Sequence, residues 1–251
     1  MLITELIPRL VLPPKCGGCG ERIDIFKNDK IDAFCPECRR RWEMAKMSIC
    51  AKCDRENCSC ICDTKYLKDT RVLTLVKFGV GGCSDRFVYR LKQRPVNRYF
   101  DFAAAELYKR LKREAALTGE DLSKAIYINV PRIPWNRRQF GFDHASKLAK
   151  RVAALAGGEF LPVLERAKGG RSQKKIKGAD RYKNVKGSFY VDLTEGFMGA
   201  TVILIDDIIT TGATANECIR ELKKSGCSDV IVLALARAAS KKDIEKAERR
   251  R

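Results

Sequence analysis

Two adjacent carboxylates end an apolar run in the segment VILIDDIITTGAT, residues 202–214. Side-by-side carboxylates repel each other and resist burial, so Asp206 and Asp207 at a strand end are candidate acceptors for a ligand. The Thr- and Gly-rich stretch that follows can open a helix, whose first backbone N–H groups attract a phosphate. This pairing suits a sugar phosphate, with ribose hydroxyls on the carboxylates and the 5′-phosphate on the turn. The candidate contacts are Asp206, Asp207, Ile208, Ile209, Thr210, Thr211, Gly212, Ala213 and Thr214.

The acidic pair has two other interpretations. The carboxylates could help hold a hydrated Mg²⁺, because hard oxygen ligands suit that ion. The segment could also be an ordinary capping turn with solvated acids, although a cap needs one such residue rather than a whole array. We therefore expect Asp206 and Asp207 to be the catalytic residues of the site.

A second set of candidate ligands is the cysteines, nine of which fall within residues 16–62. Cys16-x2-Cys19, then fifteen residues, then Cys35-x2-Cys38 match the spacing of a four-thiolate zinc site. A disulfide framework would need an exporting signal, and the first residues do not resemble one. The pattern therefore predicts a structural Zn²⁺ module in a reducing, cytoplasmic setting.

The remaining cysteines of this region leave the number of zinc ions open. Cys50 and Cys53 could bind a second zinc with two of Cys58, Cys60 and Cys62, or the two clusters could exchange pairs in a cross-braced arrangement. The predicted metal ligands are Cys16, Cys19, Cys35, Cys38, Cys50 and Cys53. Cys83, Cys218 and Cys227 are predicted to be ordinary buried thiols.

Net charge is +19 and is unevenly distributed: residues 1–64 hold 11 Lys+Arg against 10 Asp+Glu, so nearly all of the excess lies beyond them. A basic body attracts phosphates, either in nucleic acid or in a small anion, although the charge could also merely solubilise the surface. The stretch 165–188 is especially basic and contains glycines, which favours a mobile anion-binding loop over a merely solvated one. No apolar run is long enough to span a membrane, so no membrane partner is expected.

Strands and helices alternate along the body. Strands are predicted at 72–78, 125–131, 188–193, 201–206 and 229–236, and helices at 84–92, 100–116, 143–156 and 214–225, where Asp143 is a natural N-cap and Gly157 a natural stop. This order predicts an α/β fold with a parallel sheet and crossover helices. The expected domains are a cysteine-rich zinc-binding module at 1–64, an α/β body at 65–240 and a basic tail at 241–251.

The segment 202–214 resembles the phosphoribosyl pyrophosphate (PRPP) motif of type I phosphoribosyltransferases: apolar residues, two acids, then a Thr/Gly-rich turn. Over roughly residues 10–237 the chain resembles the ComF family, in which a zinc-binding segment precedes a phosphoribosyltransferase-like domain and which is associated with natural DNA uptake. The family's first loop corresponds here to VPRIPWNRRQFGFDHA. Its Q…R..N block corresponds to Gln173, Arg181 and Asn184.

The resemblance implies a type I phosphoribosyltransferase-like parallel sheet flanked by helices, with PRPP and Mg²⁺ as ligands. It implies that the loop 131–143 faces the pyrophosphate. Phe140 and Asp143 stand where the family has Arg and Asn, which leaves Arg132, Arg137 and Arg138 as the cations of this loop. The stretch 165–188 resembles the family's flexible loop that closes over the site, so Gln173, Arg181 and Asn184 are further candidate contacts.

Three functions are compatible with these features. The chain could transfer phosphoribosyl from PRPP to an acceptor that no residue identifies. It could instead bind PRPP or a nucleotide without catalysis, as an accessory to DNA uptake. It could also hold single-stranded DNA on its basic body. The family association further suggests a helicase-like competence protein as a partner of the zinc segment.

Overall fold

The computed structural model describes residues 13–24, 32–46, 67, 70–131, 142–167, 185–192 and 198–239. Five helices and seven strands lie within these ranges. In chain order they are α1 (Pro36–Lys46), β1 (Arg71–Phe78), α2 (Cys83–Gln93), α3 (Asn97–Thr118), β2 (Ile126–Asn129), α4 (His144–Ala156), β3 (Glu159–Phe160), β4 (Leu164–Arg166), β5 (Phe189–Val191), β6 (Thr201–Ile209), α5 (Ala213–Lys224) and β7 (Asp229–Ala238).

The main sheet is parallel throughout and has five strands in the order β1-β7-β6-β2-β3. β6 and β7 occupy its centre and are almost wholly apolar, as strands buried on both faces must be. β4 and β5 form a separate antiparallel pair. The predicted α/β fold with a parallel sheet and flanking helices is confirmed.

Each central strand supplies alternate side chains to two different cores. Ile203 and Ile205 of β6 pack into a core shared with α1, α2, α3 and α4. Val202 and Leu204 pack into a second core shared with α5 and the β4–β5 pair. Because successive residues of a strand point to opposite faces, the sheet separates the two helical layers.

The ends of several elements differ from the sequence prediction. β6 runs to Ile209 rather than stopping at Asp206, because β7 continues beside it and pairs with Ile208 and Ile209. β2 is shorter than predicted and ends at Asn129. α3 is longer than predicted and ends where Gly119 adopts φ 75°, a left-handed conformation that glycine accepts without strain.

The first cysteine segment shares its core with the body. Phe34 and Trp42 meet Phe87 of α2 and Phe102 of α3 in one aromatic cluster, with ring centroids 4.8 Å apart for Phe34 and Phe87. Glu106 of α3, buried in the same region, accepts hydrogen bonds from Trp42 and Lys46 of α1. The domain boundary at residue 64 stays a prediction, since most of 47–69 lies outside the described ranges.

Candidate phosphoribosyl site and metal centre

The two acids of the opening segment lie within β6, near its carboxyl end, and face opposite sides of the sheet. Asp207 points into the layer of α2 and α4, where it meets Lys92 and His144. Asp206 lies on the other face, close enough to Cys218 of α5 to help raise the pKa of that thiol, although burial is the larger cause. The two neighbouring carboxylates therefore lie apart, because successive side chains of a strand point to opposite faces of the sheet.

Asp207 is buried, with 7% of its surface exposed, and both carboxylate oxygens have partners. Its Oδ1 lies 3.1 Å from Nζ of Lys92, and its Oδ2 is hydrogen-bonded to Nε2 of His144. Burial alone would raise the pKa of Asp207, but the bond from His144 and the charge of Lys92 together hold it well below its usual range. Asp207 is thus an ionised carboxylate compensated from two helices.

His144 is the first residue of α4 and is 1% exposed. Asp143 caps this helix by accepting the backbone N–H of Ser146 at 3.1 Å, and Gly157 ends it with φ 73°, as the sequence predicted. In the described part of the chain, Nδ1 of His144 is buried without a hydrogen-bond partner. A hydrogen on that atom would be unsatisfied, so the structure assigns the hydrogen to Nε2, which donates to Asp207.

Asp206 is half-buried, and its Oδ1 accepts the backbone N–H of Asp207 at 2.8 Å. That bond joins the two acids through the main chain and fixes the direction of the Asp206 carboxylate. On the adjacent strand, Asn129 ends β2 and is buried beside this edge of the sheet. The more accessible acid of the pair is therefore Asp206.

The turn after β6 leads directly into α5. Gly212 precedes the helix with φ 81°, a conformation that side-chain-bearing residues rarely adopt, and no side chain caps the helix there. The first turn of α5 contains no acidic residue. Thr210 is exposed, and Thr211 and Thr214 are half-buried. Oγ1 of Thr211 accepts the N–H of Ala213 at 3.4 Å. Backbone donors at a helix start, with the positive end of the helix dipole behind them, can bind a phosphate.

The remaining predicted contacts cannot be placed. Arg132, Arg137, Arg138, Gln173, Arg181 and Asn184 lie outside the described residues, as do Cys50 and Cys53. The stretch 165–188 is described only at its two ends. At the second end, the N–H of Gly187 donates to the buried carboxylate of Glu217 on α5, which also pairs with Arg220. The basic stretch therefore returns to the body next to the helix that follows Thr210.

The four cysteines predicted from spacing converge. The Sγ atoms of Cys16, Cys19, Cys35 and Cys38 all lie within 4.8 Å of one another. Those of Cys19 and Cys35 are 3.9 Å apart, close to the separation of about 3.8 Å that tetrahedral Zn–S bonds of ~2.3 Å would give. This donor set fits a structural metal ion such as Zn²⁺, for which these four side chains would supply the ligands.

Backbone donors favour the thiolate form in this cluster. Sγ of Cys16 accepts N–H groups from Gly18 at 3.3 Å and from Cys35 at 3.2 Å. Burial raises the pKa of Cys16, but these backbone bonds and one from Cys19 outweigh it and bring the pKa to about 7. Burial, followed by the nearby charge of Cys16, raises the pKa of Cys38. A bound dication would relieve that repulsion between thiolates.

Two arginines of α2 hold the first cysteine turn. Arg90 donates to the carbonyl oxygens of Cys16 at 3.0 Å and Gly17 at 2.8 Å, and a second nitrogen reaches Cys19 O at 3.2 Å. Arg86 donates to the carbonyl of Gly18 at 2.8 Å. The turn is also tightly packed, since a Cβ on Gly18 would lie 2.7 Å from Sγ of Cys38.

Comparison with known proteins agrees with the phosphoribosyl part of this arrangement. Residues 143–250 match the family described as the phosphoribosyl transferase domain. Competence protein ComFC of Streptococcus pneumoniae is 24% identical over 236 residues, which cover 89% of this chain and 100% of that protein. Competence protein F of Haemophilus influenzae is 29% identical over 142 residues, 56% of this chain and 62% of its own length. The chain is thus similar to two competence proteins, and to ComFC over most of its length.

A DNA utilization protein and a solved phosphoribosyltransferase structure are also similar to this chain. The DNA utilization protein YhgH of Salmonella typhi is 25% identical over 138 residues, which are 60% of its length. The chain therefore spans less than two thirds of this protein and of the Haemophilus competence protein, which is matched over 62% of its length. Among solved structures, an adenine phosphoribosyltransferase superposes with a TM-score of 0.37 at 17% identity, over 61% of this chain and 76% of its own. The similarity to the competence proteins rests on the sequence matches.

One departure of the first loop from the ComF pattern lies within the described residues. Asp143 stands where the family has Asn, and it caps α4, a position at which Asn and Asp are about equally favourable. Phe140 lies outside the described residues. The Asp143 departure therefore preserves the local structure of the loop's end.

Sequence reasoning missed several residues of the two candidate sites. Lys92 and His144 were not predicted to contact Asp207, and Arg86 and Arg90 were not predicted to hold the cysteine turn. The available signals were indirect: His144 is the chain's one histidine and follows the predicted N-cap, and Lys92 is in a helix with a buried apolar face. Within the described residues, no helix is long and apolar enough to cross a bilayer.

Proposed function

We propose that this chain binds PRPP at the carboxyl edge of the sheet and transfers its phosphoribosyl group to an acceptor. The observation that carries the proposal is the half-buried carboxylate of Asp206 beside the uncapped start of α5, in a chain with a phosphoribosyl transferase domain. The turn from Thr210 to Thr214 binds the 5′-phosphate through backbone N–H groups and hydroxyls. The ribose hydroxyls donate to the acids near the end of β6, Asp206 and Asp207, of which Asp206 is the more accessible.

In the transfer step, the bond between carbon 1 of the ribose and the pyrophosphate oxygen breaks, and a nucleophilic atom of the acceptor forms the new bond. Positive charge develops on the ribose ring, and negative charge develops on the leaving group. The acids near the ribose stabilise the positive charge on the ring. The cations Arg132, Arg137 and Arg138 stabilise the negative charge on the leaving pyrophosphate. Gln173, Arg181 and Asn184 of the basic stretch are further proposed contacts of PRPP.

A hydrated Mg²⁺ fits this site because Asp206 is accessible enough to accept hydrogen bonds from its water ligands. When bound with PRPP, the ion would neutralise pyrophosphate charge. The four-cysteine cluster holds Zn²⁺ in a structural role, and Cys50 and Cys53 contribute to a second metal site. Such thiolate sites fit a reducing compartment, which supports a cytoplasmic location.

Titration calorimetry with PRPP and Mg²⁺ tests binding directly. We expect the wild-type protein to bind and the double variant Asp206→Ala/Asp207→Ala to lose binding. Glu159→Ala is the control, since that acid is exposed at a different strand. Absence of binding by the wild-type protein, or equal binding by the double variant, would overturn the proposal.

A second candidate function is supported by the names of the relatives, which are competence and DNA utilization proteins. On this alternative the site binds PRPP or a nucleotide without turnover, and the basic body binds single-stranded DNA or a helicase-like protein of the uptake machinery. A pyrophosphate-release assay across common bases and nucleosides separates the two: turnover supports the transferase. A gel shift with single-stranded DNA at about 50 mM salt tests the DNA interaction.

A further inference from the structure

The two neighbouring acids of β6 have unequal surroundings. Both oxygens of Asp207 are occupied inside the protein, by Lys92 at 3.1 Å and by His144. Its side chain is 10% exposed. Asp206 lies on the opposite face, half-buried, with Oδ1 on the N–H of Asp207. Equal roles in ligand binding would require Asp207 to give up its contacts with Lys92 and His144.

Giving up those partners would be costly. A buried carboxylate that loses its compensating charge destabilises the fold strongly, and a ribose hydroxyl is a weaker donor to it than an ammonium group. His144 has no other described partner for its Nε2 hydrogen, and it is almost fully buried. The pairing of Asp207 with α2 and α4 therefore persists when a neutral hydroxyl approaches.

Resting on the proposed function, we propose that Lys92 and His144 are positioning residues of the phosphoribosyl site. They fix Asp207 as an internal anchor of β6, which leaves Asp206 as the acid that meets the ribose hydroxyls. The anchor acts through the main chain, because the N–H of Asp207 is the group that orients the carboxylate of Asp206. The turn that begins at Thr210, directly after β6, is held by the same anchor.

The first test compares four variants by PRPP titration calorimetry with Mg²⁺ and by thermal unfolding. Asp206→Asn should weaken PRPP binding at least about tenfold with little change in Tm, since it removes a ligand contact worth about one charged hydrogen bond. Asp207→Asn and Lys92→Met should lower Tm by several degrees or more and weaken PRPP binding only a few fold. Lys112→Met, an exposed lysine of α3, is the matched control and should change neither.

A double-mutant cycle tests the pairing itself. Lys92→Met combined with Asp207→Asn should lower Tm by less than the sum of the single changes, because both remove the same interaction. Lys92→Arg should restore PRPP affinity toward that of the wild type, since it keeps the positive charge. Strictly additive changes in Tm, or a Lys92→Arg variant that binds PRPP no better than Lys92→Met, would overturn the role of Lys92.

His144 provides a spectroscopic readout because it is the chain's one histidine, so its imidazole signals need no assignment. Nitrogen NMR should show the Nε2–H tautomer, a signal that Asp207→Asn shifts and that PRPP with Mg²⁺ leaves in place. Loss of that signal on adding PRPP would show that Asp207 leaves His144 for the ligand, which would overturn the anchor. The anchor would also be overturned if Asp207→Asn kept the Tm of the wild type but lost as much PRPP affinity as Asp206→Asn.

Failure of the proposed function gives a different result. If the wild-type protein binds no PRPP, the binding comparison has no reference and the proposed function is wrong. The Tm cycle and the His144 tautomer are measured without ligand, and they test the anchor by themselves.

Discussion

Arg90 donates a 3.0 Å hydrogen bond to the carbonyl oxygen of Cys16, and so joins the helix that contacts Asp207 to a ligand of the metal cluster. Lys92, two residues further along α2, is the residue that reaches Asp207. One helix therefore contacts both the cysteine turn and the candidate phosphoribosyl site. The stability of the two sites should be linked through it.

Removing the Arg90 side chain should destabilise the whole protein. Arg90→Met removes a donor from the carbonyl oxygens of Cys16, Gly17 and Cys19, of which that of Cys16 keeps the N–H of Gly20 at 3.0 Å. Each group left unsatisfied costs about 1 kcal/mol or more when buried. We expect a loss of about 2–4 kcal/mol in the free energy of unfolding, measured by urea denaturation. Arg113→Met, an exposed arginine of α3, is the control. Equal stability of the two variants would contradict this account of Arg90.

Chelating the metal should unfold more than the cysteine segment. Phe34 and Trp42 lie in the same core as Phe87, so loss of the metal-held turn would loosen the packing of α2. We expect a chelator to lower the Tm of the single unfolding transition by several degrees, followed by circular dichroism. A body transition that keeps its Tm while the thiols become reactive would contradict the shared core.

A methyl group at Gly18 should prevent metal binding. Its Cβ would lie 2.7 Å from Sγ and 2.8 Å from Cβ of Cys38, and neither atom can withdraw without moving a ligand. Gly18→Ala should therefore contain less metal per chain, measured by elemental analysis of the purified protein. Glu21→Ala, at an exposed position of the same turn, should keep the wild-type metal content.

Acid should destabilise the contact between α1 and α3 through Glu106. Burial raises the pKa of this carboxyl, but Lys46 and Lys109 outweigh it and lower the pKa to about 2. A lowered pKa contributes stability that is fully present above the unfolded pKa of about 4.5 and is lost as the pH falls toward 2. The difference in unfolding free energy between wild type and Glu106→Gln should be about 3 kcal/mol at pH 7 and should shrink between pH 4.5 and 2.

Urea denaturation at pH 7 and at about pH 3 measures this change, with Glu159→Gln as the exposed control. An equal difference at both pH values would mean that the packing of Glu106, rather than its charge, stabilises α3.

Because Asp143 caps α4, its substitution by asparagine and its substitution by alanine should affect stability differently. Asp143→Ala should lower the free energy of unfolding by about 1 kcal/mol, because the N–H of Ser146 loses its acceptor, whereas Asp143→Asn should stay within a few tenths. Thermal unfolding of the two variants measures this. Equal destabilisation by Asn and Ala would show that the charge of Asp143, rather than the cap, is what matters.

Local signals predicted local structure well. Asp143 and Gly157 marked the ends of α4 because a cap acts on its own helix turn. The convergence of Cys16, Cys19, Cys35 and Cys38 was predictable because one ion fixes the spacing of its ligands. The parallel sheet followed from apolar runs such as that of β7.

Features that depend on partners distant in the chain were not predictable. The prediction stopped β6 at Asp206 because acids are unfavourable in strands, but pairing with β7 carries the strand three residues further. The separation of Asp206 and Asp207 onto two faces follows from that extension. The partners of Asp207 come from α2 and α4, whose approach to β6 is set by tertiary packing.

The aromatic cluster of Phe34, Trp42, Phe87 and Phe102 has a practical consequence for work with fragments. A shortened protein beginning near residue 65 would carry two of these rings, from α2 and α3, into water. Exposed aromatic patches promote self-association, so such a fragment should express poorly and precipitate. The cysteine segment and the body should therefore be kept together in any gene fusion or exchange of domains.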